Sequence, residues 1–186
     1  EPGSTAASTL PLQDILVTDG VFTAFGPGLA QQYEAQGGDL AAIEVVDLGG
    51  KLVCPPFCDT HLHLDYVFTA RKPGAVNESG TLFEGIQRWS ETKSDLTVDE
   101  IKQRAKIGIK KEMLHGVQLI RSHADVTDPN LTSLKALLEL KEELKDTVTL
   151  QIVSFPQEGM YSYEGPHGES GAELVEEGLK MGADCV

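Results

Sequence analysis

Leu52-Val53-Cys54-Pro55-Pro56-Phe57-Cys58-Asp59-Thr60-His61-Leu62-His63 is the stretch on which the fold turns. It is a nearly continuous apolar run that ends abruptly in two histidines. Such a run suits a strand buried on both faces, as in a parallel sheet. The paired prolines favour a strand end or a bulge. Histidines at i and i+2 on a strand point to one face. Two neutral imidazoles there can hold one divalent ion, and imidazole nitrogen suits zinc or ferrous iron. His-x-His also occurs as two histidines packed at a strand end. The preceding apolar strand and the flanking Asp59 and Asp65, carboxylates able to orient the imidazoles, favour the metal site.

Downstream, the theme repeats. Residues 117–123 and 147–155 read as further strands, each after a helical stretch. Thr97 and Glu100 form a capping-box pattern. Ile101, Ala105, Ile109 and Met113 then recur every fourth residue as one apolar stripe, with Gly116 as the C-terminal cap. A second helix follows Asp128-Pro129, with Leu134, Leu137, Leu138 and Leu144 as its apolar face and residues 139–145 as a solvated one. A third opens at Ser170 with Glu173 and ends near Gly182. Asp184-Cys185-Val186 reads as the start of a fourth strand. Strands alternating with helices predict a parallel α/β architecture. Residues 64–96 read as a long loop, where function tends to reside. In an α/β barrel the C-terminal strand ends carry the site.

Upstream, residues 1–50 predict part of a small β domain. Asp19-Gly20 between two apolar runs is a hairpin signal. Residues 29–42 read as a loop, 43–46 as a third strand and Gly49-Gly50 as a turn. The expected division is thus residues 1–50 and 51–186.

The 186 residues include 15 Lys plus Arg against 29 Asp plus Glu, a formal charge of −14. That balance disfavours nucleic acid and anionic membrane surfaces as partners. No apolar run reaches the roughly 20 residues of a membrane helix. Residues 1–10 lack the basic and apolar regions of a signal peptide and read as a trimmed tail. With no leader evident, a cytoplasmic location is expected. Cys54, Cys58 and Cys185 are too few for a disulfide framework and read as buried, reduced thiols.

Phe57-Cys58-Asp59-Thr60-His61-Leu62-His63-Leu64-Asp65 resembles the first-strand metal motif of the amidohydrolase superfamily. Residues 79–91, Ser-Gly-Thr-Leu-Phe-Glu-Gly-Ile-Gln-Arg-Trp-Ser-Glu, sharpen the resemblance to barrel-type cytosine deaminases. So do Arg121-Ser122-His123-Ala124-Asp125-Val126 and Phe155-Pro156-Gln157-Glu158-Gly159. The resemblance runs from about residue 14 to residue 186. It implies the N-terminal part of a (β/α)8 TIM-like barrel, with residues 1–50 contributing to a small β-sandwich domain.

Position by position, the resemblance implies His61 and His63 as ligands of one divalent ion, Zn or Fe(II). It places Gln157 on the substrate through its amide and Leu82 at the pocket through its backbone carbonyl. Asp65 and His123 would support the ligands from behind, Asp65 anchoring either a histidine or a nearby turn. Phe155 reads as pocket wall or core, the core reading preferred. His115 reads as a helix-end residue and His167 as exposed on a loop. Trp89 packs either the long loop or an oligomer interface. Tyr66 and Phe68 stand where the family carries smaller polar residues, and so bear on the substrate.

The implied reaction is hydrolytic deamination of a cytosine-like amino-heterocycle. Water activated by the ion attacks the amino-bearing ring carbon, and ammonia leaves. The small zinc deaminases carry a different signature, which is not present here. The proton-shuttling groups and the last-strand aspartate find no counterpart in residues 1–186. The segment is therefore expected to be the N-terminal portion of a longer enzyme, inactive by itself, with the whole a homo-oligomer. Two alternatives stay open. One is a cyclic-amide hydrolase of the hydantoinase or dihydroorotase kind; the other is a non-catalytic fragment that kept the fold. Within the first choice, isocytosine, creatinine and aminotriazines stand beside cytosine as substrates.

Overall fold

A computed structural model describes residues 11–186; the expected tail at residues 1–10 lies outside the described residues. The chain divides into two compact units at Cys54/Pro55.

In the first unit, β1 (Asp14–Thr18) and β2 (Val21–Gly26) pair antiparallel. Asp19 and Gly20 lie at φ 51° and 76°. Two successive left-handed residues make the turn whose twist matches the flanking strands, as the sequence predicts. The expected loop at 29–42 instead contains α1 (Leu29–Ala35) and a 3-10 turn at Leu40–Ala42. Acidic side chains satisfy the orphan amides that open each. Asp14 Oδ2 accepts from the Leu29 amide at 2.9 Å and Asp39 Oδ1 from the Ala41 amide at 2.9 Å. Both elements are short and bury no residue, so no apolar period announces them. Among the described residues, 43–46 forms no strand, and Val45 and Val46 are exposed. A strand needs a partner, and among the described residues none pairs with them. Gly49 and Gly50 form the expected turn.

The second unit is a mixed α/β structure. Strands β3 (Phe57–Leu62), β4 (Val117–Asp125) and β5 (Thr149–Phe155) form one parallel sheet in that order. Residues 184–186 begin a further parallel pairing on β5: Ser154 N–H donates to the Cys185 carbonyl at 2.8 Å, and Asp184 N–H to that of Ile152 at 2.8 Å. The connecting helices are α2 (Leu82–Lys93), α3 (Val98–Leu114), α4 (Thr132–Glu143) and α5 (Gly171–Met181). Thr97/Glu100 and Ser170/Glu173 close both halves of their capping boxes. Asp128 opens α4 by accepting from the amides of Asn130 and Thr132.

One face of the sheet makes the core. Ile120, Ala124 and Ile152 are fully buried against Ile101, Leu134 and Leu137. Each such isoleucine or leucine side chain stabilises the fold by about 1.5–3 kcal/mol. Helix α5 approaches so closely that a Cβ on Gly178 would lie 2.4 Å from Ser154 Oγ. The opposite face, with Arg121 and His123, is less covered.

Two expectations are corrected here. The strand begins at Phe57, after the prolines, and Phe57 is exposed rather than buried on both faces. β3 lies at the sheet edge, and among the described residues no strand pairs with its outer side. The cysteines are free, but Cys54 and Cys58 are exposed and Cys185 half-buried. Cys58 shares that uncovered edge, so no packed layer buries it.

Candidate active site

The sheet ladder breaks where the two histidines sit. Asp59 pairs with Ile120, but the next pairing is Leu62 with Ser122, so β3 carries an extra residue there. A bulge frees backbone groups from the ladder and re-aims side chains. The freed His61 amide donates to its own neighbour, Asp59 Oδ1, at 3.0 Å. His63 lies just past the last residue of β3. The histidines therefore converge through a bulge and a strand end, not through regular alternation. Their ring centroids are 5.4 Å apart.

His63 is held from behind by a backbone group. Its Nδ1 lies 3.0 Å from the His123 carbonyl oxygen. A carbonyl only accepts, so Nδ1 carries the proton and Nε2 keeps its lone pair. Burial, reinforced by the neighbouring His123, lowers the His63 pKa to about 4, so the ring is neutral at physiological pH. His123 stacks on His61 at 4.1 Å. Its Nδ1 is buried without a hydrogen-bond partner, and burial followed by His61 lowers its pKa.

Asp65 is fully buried. Its Oδ1 accepts from the Tyr66 amide at 3.0 Å and its Oδ2 from the Asp125 amide at 2.9 Å. The distance from Oδ1 to His63 Nδ1 is 3.9 Å, too long for a hydrogen bond. Its hydrogen bonds thus go to the next residue of its own turn and to the end of β4. Burial raises the Asp65 pKa to about 7, with Asp125 adding to the effect against the opposing backbone amides.

The expected long loop contains α2. Thr81 Oγ1 accepts from the Glu84 amide at 3.3 Å, capping its start. Thr81-x-x-Glu84 is the same local signal as the other two boxes. Here the Glu84 carboxylate turns away from the cap to the amides of Glu78 (3.0 Å) and Ser79 (2.7 Å). Ser79 chiefly, with Glu78, holds the Glu84 pKa near 2. A lowered carboxylate pKa contributes order that is complete above the unfolded value of about 4.5 and lost as pH falls toward 2. Amide exchange in residues 77–84, corrected for its intrinsic pH dependence, is therefore expected to lose protection between pH 5 and 2. Glu84→Gln should lack that protection even at pH 5; an unchanged profile would contradict the assignment.

Helix α2 walls a cavity of about 620 Å³ together with the strand ends. His61, His63, Tyr66, Trp89, Phe155 and Gln157 line it, and Leu82 stands at its rim. That volume lies within the usual range for small-molecule sites. Leu82, the first residue of α2, stands on this lining with an exposed side chain. Phe155 is wall as well as packing, edge-on to His63 at 5.5 Å. A smaller cavity of about 190 Å³ adjoins, sharing Tyr66, Asn77, Gly85 and Trp89. Phe68 lines only the smaller one, and Tyr66 lines both.

Trp89 is 4% exposed and donates through Nε1 to Asp125 Oδ2 at 2.7 Å. It therefore packs the loop region against the sheet. Sequence reasoning did not single out Lys93 or assign a role to Glu158, which meet behind this wall. The available signal was Trp89 and Lys93 at i and i+4, visible only once α2 is recognised. His115 bonds the Lys111 carbonyl at its helix end, and His167 is exposed; neither lines the cavity.

The residues present fit a divalent ion. His63 offers Nε2 while a carbonyl fixes its Nδ1, the usual support behind a ligating imidazole. His61 stands beside it on the same cavity. Among the described residues, no group of three or more His, Cys, Asp or Glu side chains is placed to hold an ion. His61 and His63 alone would fall short of the three or more protein ligands that catalytic sites use.

A model of the amidohydrolase family matches residues 44–180. The crystal structure of 5-methylcytosine deaminase from Klebsiella pneumoniae, liganded with phosphonocytosine, superposes with a TM-score of 0.73 at 41% identity. That match covers 95% of this chain and 40% of the neighbour. N-isopropylammelide isopropyl amidohydrolase of Pseudomonas sp. strain ADP is 34% identical over 145 residues, 76% of this chain and 35% of the relative. Pterin deaminase of Rhizobium rhizogenes is 27% identical over 152 residues, covering 79% and 32%. The chain spans about a third of the length of these two relatives.

Proposed function

Because the chain belongs to the amidohydrolase family, we propose that it supplies the first part of the active site of a metal-dependent hydrolytic deaminase acting on a cytosine-like amino-heterocycle. The observation that carries this is the meeting of Gln157 with His61 and His63 on one cavity, although Gln157 lies far from the two histidines in sequence. The similarity to a 5-methylcytosine deaminase and a pterin deaminase supports an aminated ring as the substrate class. Nothing in the comparisons favours the cyclic-amide alternative.

His61 and His63 would hold the ion, Zn or Fe(II), with further ligands from outside residues 1–186. The ion, when bound, would supply an activated water near neutral pH. The chain's own residues do the rest of what is proposed. The His123 carbonyl keeps His63 in the tautomer that leaves Nε2 free. Tyr66, Trp89 and Phe155 give aromatic walls suited to a flat ring. The Gln157 carboxamide both donates and accepts, matching an amide-like ring edge. The sheet would form part of a (β/α)8 barrel, with the site at the C-terminal strand ends.

Ammonia release tests this directly. The full-length enzyme, assayed with cytosine, 5-methylcytosine, isocytosine, creatinine, pterins and aminotriazines, is expected to deaminate at least one amino-pyrimidine. The 186 residues alone are expected to release none. Hydrolysis of dihydroorotate or hydantoin without ammonia from any amino-heterocycle would overturn the proposal.

A further inference from the structure

We propose that Lys93 is a positioning residue that holds Glu158 and, through it, the adjoining Gln157 carboxamide against the cavity. This rests on the cavity being the deaminase site. Lys93 closes α2 one turn beyond Trp89. Its side chain is 11% exposed. The ammonium meets three acceptors: Asp125 Oδ2 at 3.1 Å, Thr127 Oγ1 at 2.9 Å and Glu158 Oε1. Those match its three donors. The Tyr163 ring lies 5.9 Å from Nζ. Ser90 Oγ, from the same helix, donates to the same Glu158 oxygen at 2.6 Å.

The acceptors belong to two different pieces of chain. Asp125 ends β4 and Thr127 follows it, while Glu158 lies in the loop after β5. Phe155 is fixed by pairing with Asp125, and Glu158 is gripped by α2. Gln157 lies between these anchors, its amide bonded to the Phe155 carbonyl at 3.1 Å. A short span held at both ends has little freedom, so its side chain is pre-organised toward the cavity. Buried charge clusters are weak sources of stability, but charge-assisted hydrogen bonds define geometry well. Without Lys93, Glu158 keeps only Ser90 as a side-chain donor among the described residues, and at 30% side-chain exposure it is free to turn to solvent.

The test is a cycle in the full-length enzyme with Lys93→Met, the milder Glu158→Gln, and both again in a Gln157→Ala background. Each single change should lower kcat/KM by at least about tenfold, yet by less than about twofold once Gln157 is gone. Amide exchange of residues 156–160 should accelerate while α4 stays protected. Equal losses in both backgrounds, or unchanged exchange at 156–160, would overturn the proposal. Should the wild-type enzyme deaminate no heterocycle, the proposed reaction fails, and the exchange result alone still decides whether Lys93 holds the loop.

Discussion

Replacing His63 with alanine is expected to lower kcat for ammonia release by more than about 10³-fold, several kcal/mol of lost charge stabilisation. The bound metal should fall in proportion. The unprotonated Nε2 of the His63 ring is fixed by a backbone acceptor at Nδ1, the His123 carbonyl. The ring is also held between Tyr66, stacked at 4.5 Å, and the edge of Phe155. His167→Ala, on an exposed loop, should leave both activity and metal content unchanged. A His63→Ala enzyme that keeps its metal and its rate would contradict the assignment of His63 as a ligand.

The second large effect concerns stability. Asp125→Ala is expected to cost about 3–5 kcal/mol, because removing one member of a buried charged group strands its partners. The Asp125 side chain is fully buried and accepts from Trp89 Nε1, from Lys93 Nζ, and from both the amide and the hydroxyl of Thr127. Losing it leaves an indole N–H and a backbone N–H without acceptors in a water-poor site. Against a typical total of about 5–15 kcal/mol, this is a large share. Trp89 is the chain's only tryptophan, so urea unfolding of the 186 residues followed by its emission reads the loss directly. Asp125→Asn, which keeps an acceptor oxygen, should lose less. Equal midpoints for Asp125→Ala and wild type would contradict the network.

What the sequence made legible was local or periodic. The hairpin at Asp19-Gly20 and the boxes at Thr97 and Ser170 are decided within a few residues, and each forms as expected. The stripe from Ile101 to Ile109 places one helix face on the sheet, and the alternation of strand and helix gives the parallel order. His61, His63 and Gln157 were recognisable as strand-end residues. What escaped depends on partners distant in the chain or on broken pattern. Helix α2 buries only Trp89 and carries Gly85 within it, and a mid-helix glycine weakens the helix propensity of the segment. The bulge at residues 60–61 is a mismatch between β3 and β4, and no single strand encodes it. Lys93 meets Glu158 65 residues away and Asp125 32 residues away, contacts that only the packed sheet creates. His123 was expected near the site as a side chain; its firmest contribution is its backbone carbonyl, which any residue would carry.

The most direct measurement is anomalous diffraction from crystals of the full-length protein loaded with zinc. The account predicts one strong peak bonded to a ring nitrogen of His61 and to Nε2 of His63, beside Gln157. A peak elsewhere, or none at these histidines with zinc in excess, would contradict it.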